Sequence, residues 1–168
     1  MTSTTDLAQS AGAGPPVDTF KAVFRQHPAG VAVVTLGGER PTGFTATSVT
    51  SLSADPPLLT FNVALTASAW PAVERTGHVA VHLLTDRQSD LATVFATSGI
   101  DRLAVAGRWH QGPHGLPLLP DVRSRLVARS ERRVVVAGQA VVVAEVLDAL
   151  TFAGAPLLYH DRSYTTLT

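Results

Sequence analysis

Apolar positions along this chain change period repeatedly, and the changes divide it into short elements. Phe20, Val23 and Phe24 recur at helical spacing, which predicts a helix over 19–27 capped by Asp18. From Gly30 the pattern becomes a continuous apolar run, Val31-Ala32-Val33-Val34, that reaches Gly37-Gly38; with the Ser/Thr-rich segment beyond, it predicts a β-hairpin. A strand is expected over 58–63, a helix over 68–76 with Pro71 in its first turn, and a further strand over 78–84. Thr85-Asp86-Arg87-Gln88 has the form of a capping box, and Leu91, Val94 and Phe95 continue it at helical spacing. Residues 100–120 lose all period, with Gly107, Gly112, Pro113, Gly115, Pro117 and Pro120 around Trp109, His110 and His114, and are expected to form an irregular loop. Two β-rich runs follow over 121–130 and 133–147, with short strands near 157–159 and 164–168. Many short strands and few helices predict a mainly β fold, a small barrel rather than a doubly wound sheet.

Residues 1–16, rich in Ser, Thr, Ala, Gly and Pro, are expected to be a disordered tail, leaving 17–168 as one domain. Thirteen Lys and Arg against thirteen Asp and Glu leave no basic field, so neither nucleic acid nor a membrane surface is an expected partner. No apolar run approaches the ~18 residues of a spanning helix, and the N-terminus lacks a signal pattern; a cytoplasmic location is expected. The absence of cysteine excludes disulfides, thiolate chemistry and cysteine-ligated metals. His78 and His82 lie on one strand face roughly 13 Å apart, too far for one ion, and no metal site is expected.

Chemistry-bearing motifs are scarce: there is no dinucleotide fingerprint, Walker loop, zincin helix or nucleophile elbow. The segment from Gly43 to Leu58 instead concentrates Thr45, Thr47, Ser48, Thr50, Ser51 and Ser53 ahead of Pro56-Pro57. Such a run fits a solvated edge strand, and it equally fits a strand whose hydroxyls and backbone N–H groups converge on phosphate oxygens, the prolines ending its pairing. Arg123, Arg125 and Arg129 add a basic face to the first long β run.

Several weak motifs stand in a specific order. Phe-x-x-Val-Phe at 20–24 and Gly-Val-x-Val-Val-Thr at 30–35 precede Gly-Phe-Thr-x-x-Ser-x-x-Ser-Leu-Ser-x-x-Pro-Pro-Leu at 43–58, Ser68-Ala69-Trp70, Val-x-Leu-Leu-Thr-x-x-Gln at 81–88, Phe95-Ala96, Asp101-Arg102-Leu103, Trp109, Gly-x-Pro-Leu-Leu at 115–119 and Pro156-Leu157-Leu158-Tyr159. In this order the chain resembles the flavin reductase-like family, with its FMN-binding split barrel of Greek-key type, over residues 20–164. The resemblance implies that Thr42, Gly43, Phe44, Thr45, Thr47 and Ser48 line an isoalloxazine ring and ribityl phosphate. It further implies that Asn62, Val63 and Ala64 lie against the flavin, that Ser68 meets its phosphate at a helix start, and that Phe95 edges the pocket or belongs to the core. The aligned Gly-Asp-His of nicotinamide-using relatives reads Glu131-Arg132-Arg133 here, so Arg133 is the candidate for a dinucleotide pyrophosphate. His160 and Tyr164 fall on the nicotinamide side, and Leu103 replaces an aromatic residue.

The activity so implied is NAD(P)H:flavin oxidoreductase, with FAD or FMN as flavin and NADH or NADPH as hydride source. The hydride passes from cofactor to cofactor, which accounts for the missing acid–base grouping. The same resemblance implies a homodimer and a partner monooxygenase that receives reduced flavin by diffusion. Two alternatives stay open, a flavin carrier without nicotinamide turnover and an FMN oxidase of the pyridoxamine phosphate type.

Overall fold

Every residue of the strand Ala32–Leu36 is buried, which requires a cover on both of its faces. The computed structural model supplies both. It describes residues 14–167; most of the expected tail, and Thr168, lie outside the described residues. The elements run α1 (Val17–Arg25), β1 (Ala29–Gly30), β2 (Ala32–Leu36), β3 (Thr42–Ala46), β4 (Thr50–Ala54), β5 (Pro57–Ala64), α2 (Trp70–Arg75), β6 (His78–Leu83), α3 (Ser89–Ala96), α4 (Arg102–Ala106), β7 (His110–Gln111), β8 (Pro117–Leu118), β9 (Ser124–Val136), β10 (Gln139–Thr151), β11 (Leu157–His160) and β12 (Ser163–Thr166).

Seven strands form one sheet in the order β3-β2-β6-β9-β10-β5-β4; β1, β11 and β12 form a second sheet, and β7 pairs with β8. Ala32, Val34 and Leu36 join Phe44, Phe61 and Val81 in the core inside the curled sheet, while Val31 and Val33 join Ala92, Phe95 and Leu119 in a second core under α3. Phe44 of β3 and Phe61 of β5 approach to 6.0 Å between ring centroids, although these two strands do not pair. The sheet therefore closes on itself around aromatic side chains and leaves a split without backbone pairing between β3 and β5. This is the mainly β split barrel that the sequence predicts.

Several elements differ from expectation for local reasons. The first helix starts at Val17, with Pro16 at the N-cap and no side-chain cap, and Asp18 lies in its first turn. Pro56 and Pro57 do not end pairing: Asp55 and Pro56 form a hairpin turn, and Pro57 opens β5 and pairs with Ala54 across it. Gln88 completes half of the capping box by accepting from the Thr85 N–H at 3.0 Å, but its amide donates to the Pro120 carbonyl at 3.1 Å, and α3 begins only at Ser89. The long β run is not divided at 130–133; there Glu131 is the extra residue of a bulge in β9, since Ser130 faces Ala144 and Arg132 faces Val143. The hairpin turns at Ala137 and Gly138, both with positive φ (48° and 78°), as a two-residue turn of the primed kind requires. Among the described residues no helix is long and apolar enough to cross a membrane, and no His/Cys/Asp/Glu group is arranged to hold a metal ion.

Three of the histidines, His78, His82 and His114, take packing roles. His78 stacks on His114 with ring centroids 3.7 Å apart. His82 is fully buried; its Nε2 accepts from the Leu119 N–H at 3.2 Å, so Nδ1 carries the proton and donates to the Val33 carbonyl at 3.2 Å. Burial lowers its pKa to about 4, with Arg125 and His110 acting in the same direction and the bond to Val33 opposing them. An unfolded histidine titrates near 6.5, so between those values the unfolded chain binds more protons. Stability is therefore intact above pH 6.5 and declines as pH falls toward 4, by about 2 kcal/mol at pH 5. In His82→Gln, whose amide can serve both backbone groups without titrating, urea unfolding at pH 7 and pH 5 is expected to show a smaller difference than in the wild type; an equal difference would clear His82 as its cause.

Candidate flavin site

The hydroxyl-rich run bends into β3 and β4, and β3 ends the large sheet, so one of its edges has no strand partner. Gly43 lies flush against the layer beneath: a Cβ there would sit 2.8 Å from the Phe95 ring and 2.8 Å from the Val34 carbonyl oxygen. Only glycine lets the strand sit this low. Phe44 turns into the barrel interior with Ala46, and the Thr45 hydroxyl donates to the Ala92 carbonyl at 2.6 Å, anchoring β3 to α3. Thr42 and Ser48 are half-buried and Thr47 is exposed. The Ser48 Oγ accepts from the Asn62 N–H at 2.9 Å, which stitches the end of β3 to β5 across the split and leaves the Ser48 proton free to donate. Asn62 presents its side chain outward, Val63 joins the interior core and Ala64 is half-buried.

Beside this edge the structure brings in a residue that the sequence reading did not assign. Arg102 is 8% exposed. Its Nε donates to the Thr97 carbonyl at 2.7 Å, one terminal nitrogen to the Gly43 carbonyl at 2.8 Å and the other to the Ser68 Oγ at 3.1 Å. All three acceptors are neutral, and burial pulls the guanidinium's pKa down. The adjacent carboxylate is spent elsewhere, because Asp101 caps α4 by accepting from the Ala104 N–H at 3.0 Å. Of five guanidinium N–H groups three are engaged, and two remain beside an exposed serine. A buried cation with this environment fits an anionic group arriving from outside the chain. Its signal in the sequence was Asp101 as an N-cap and Gly107, left-handed at φ 67°, as the stop of a five-residue helix.

Phe95 is fully buried: of its two readings, pocket edge and core, the structure supports the core, where its ring underlies Gly43. Arg133 is also committed. Its Nε donates to the Val73 carbonyl at 3.0 Å and its terminal nitrogen to the Thr76 carbonyl at 2.6 Å, so it closes the C-terminus of α2 rather than reaching for a pyrophosphate. Tyr164 packs edge-on against Tyr159 at 5.4 Å, and burial, opposed by a hydrogen bond with Thr93, raises its pKa. His160 lines a small cavity with residues of α1. The three nicotinamide-side candidates share no hydrogen bond or ring contact, whereas the flavin-side candidates converge on β3, the split and Ser68. Arg123, Arg125 and Arg129 do not make a joint face for an anion: Arg123 donates to the Gly154 carbonyl, and Arg129 pairs with Glu131 and Glu145.

Comparison with known proteins agrees with this fold. An NADH:FMN oxidoreductase of Rhodococcus qingshengii is 38% identical over 151 residues, covering 86% of this chain and 79% of that protein. The crystal structure of a flavin reductase domain protein from Arthrobacter sp. FB24 superposes with a TM-score of 0.85 at 42% identity, covering 90% of this chain and 95% of the other. BorF, the flavin reductase component of a bacterial two-component tryptophan halogenase, gives a TM-score of 0.83 at 27% identity over 89% of this chain and 97% of its own. The family model for the flavin reductase like domain matches residues 24–168, and the chain belongs to that family.

Proposed function

We propose that this chain is an NADH-dependent flavin reductase that reduces FMN or FAD and releases the product to a separate monooxygenase. The observation that carries the reading is Arg102, a buried cation without a carboxylate partner, set behind Ser68 and the Gly43 carbonyl on an edge strand lined with neutral donors. The nicotinamide supplies a hydride and the flavin accepts it, so the chain is not required to furnish an acid or base. What its residues contribute is alignment. Gly43 gives a flat backbone surface for a tricyclic ring, Ser48 and Asn62 offer donors at its rim, and Ser68 with Arg102 holds the phosphate. Arg133 serves α2, so the dinucleotide is held by groups other than that guanidinium.

A second copy of this chain fits the apolar surface left uncovered. Val17, Phe20, Val23 and Phe24 of α1 are 67%, 56%, 62% and 58% exposed, and no residue of that helix is buried. Val134, Val135 and Val136 at the tip of β9 are also exposed. Patches of this kind on a small domain mark contact surfaces, and light scattering is expected to give twice the 17.6 kDa chain mass. Substituting Phe20 and Phe24 with serine is expected to shift the protein toward the monomer; a wild type that is monomeric at micromolar concentration rejects the dimer.

Under anaerobic conditions, catalytic amounts of the protein with NADH and excess FMN or FAD are expected to bleach the flavin absorbance. Absence of bleaching with both NADH and NADPH, from protein that still binds flavin, would leave a carrier and reject the reductase. Arg102→Ala is expected to raise KM for FMN about tenfold or more beyond any rise for riboflavin, which lacks the phosphate, the difference being the loss typical of a charge-assisted hydrogen bond. A parallel loss for both flavins would reduce Arg102 to a structural tie.

A further inference from the structure

A cavity of about 890 Å3 opens between the segment leading into α3, the start of β9 and the loop after β10, and none of the flavin-side candidates lines it. Its charged walls are Arg87, Arg108 and Arg125 with Asp86 and Asp121. Arg108 is held by Asp121 at 2.8 Å. Arg87 and Arg125 make no ion pair among the described residues. Arg123 fixes the loop wall by donating to the Gly154 carbonyl, so the cavity is bounded by a tethered segment. Its apolar surface comes from Leu119, Val122 and Phe152, the last 47% exposed. A second cavity of about 320 Å3 shares Arg87, Arg108 and Asp121 and adds Asp90 beside the apolar Leu91, Val94 and Val105. Arg87 thus stands where the larger chamber meets its annex, and Arg125 faces it from the larger chamber alone, with Asp86 the one carboxylate of that chamber outside an ion pair among the described residues.

Guanidinium forks recognise carboxylate and phosphate oxygens in preference to other anions of their size, and two cations at one concavity raise the local concentration of such groups. The apolar annex selects for a body that is flat or aliphatic rather than a free inorganic ion. We propose that this cavity binds a small organic anion, a carboxylate or phosphate head carried on an apolar ring, while the flavin side is separately occupied. The site does not depend on the flavin reading. Gln88, Ala92 and Phe95 of one helical stretch connect it to β3, because Gln88 lines the cavity, the Ala92 carbonyl holds Thr45 and Phe95 underlies Gly43.

Calorimetric titration of the full chain, with FMN at saturation, would use naphthalene-2-carboxylate and 1-naphthyl phosphate as probes and naphthalene-2-methanol as the uncharged control. At least one anion is expected to bind saturably, one per chain, and at least tenfold more tightly than the alcohol; the tighter of the two identifies the head group. In the double variant Arg87→Ala, Arg125→Ala that affinity is expected to fall at least tenfold, with the rate of FMN reduction unchanged as the control for folding. Equal affinity for the alcohol, full binding by the double variant, or displacement of the probe by FMN would each overturn the proposal.

Discussion

A guanidinium removed from water with no carboxylate beside it constrains everything around the candidate site. Desolvating a cation costs several kcal/mol even after relaxation, and Arg102 is offset only by two backbone carbonyls and a serine oxygen. Those three acceptors lie on different segments: the stretch after α3, strand β3 and the approach to α2. One side chain therefore fixes the relative positions of the segments that frame the split. A five-residue helix is far too short to be stable alone, yet α4 is capped at both ends and serves to deliver this residue. Because Asp101 spends its carboxylate on the cap, the positive charge keeps no carboxylate partner among the described residues.

The second arginine completes the frame. Ser68 lies just ahead of α2, and Arg133 holds the carbonyls of Val73 and Thr76 at the other end of that helix. The helix is thus gripped at its start through Ser68 and at its finish through Arg133. On the opposite side, α3 sets the height of β3 through Thr45 and through the Phe95 ring beneath Gly43. The hydroxyls of the Ser/Thr-rich run consequently divide their work. Thr45 and Ser48 accept or donate within the fold, and the exposed Thr47 stays available.

The strands were legible because period-2 and continuous apolar patterns report directly on one-sided and two-sided burial; β2 and β6 stand where those patterns put them. Helix α4 was not, since five residues hold too little periodicity to rise above a Gly- and Pro-rich background. The turn at Ala137-Gly138 was displaced in the reading toward Glu131-Arg132, because charged residues inside a strand look like a loop, whereas here they mark a bulge that faces solvent. Site chemistry was half legible. Hydroxyl density pointed to β3, but whether a given hydroxyl faces a helix or the free edge depends on register, and sequence spacing does not supply it. Arg133 was assigned by its aligned position, and the helix end that occupies it lies some sixty residues away in the chain.

Neutral donors have a consequence for turnover. A flavin phosphate clasped by several exposed arginines would be held strongly, since each charge-assisted bond adds 1.5 kcal/mol or about twice that. Here one cation, set back behind Ser68, shares its attraction with two backbone carbonyls, and the remaining contacts along β3 are hydroxyls and amides whose net gain over water is about 1 kcal/mol each. The edge of β3 is open in the sheet rather than sealed by a further strand. Both features favour exchange over retention, and exchange is what an enzyme requires when its product is the reduced flavin itself and the oxidising partner is another protein. A neutral chain with thirteen charges of each sign also presents no long-range field to hold a departing dianion nearby, so under the proposed site the contacts at Ser68 and Arg102 would govern release.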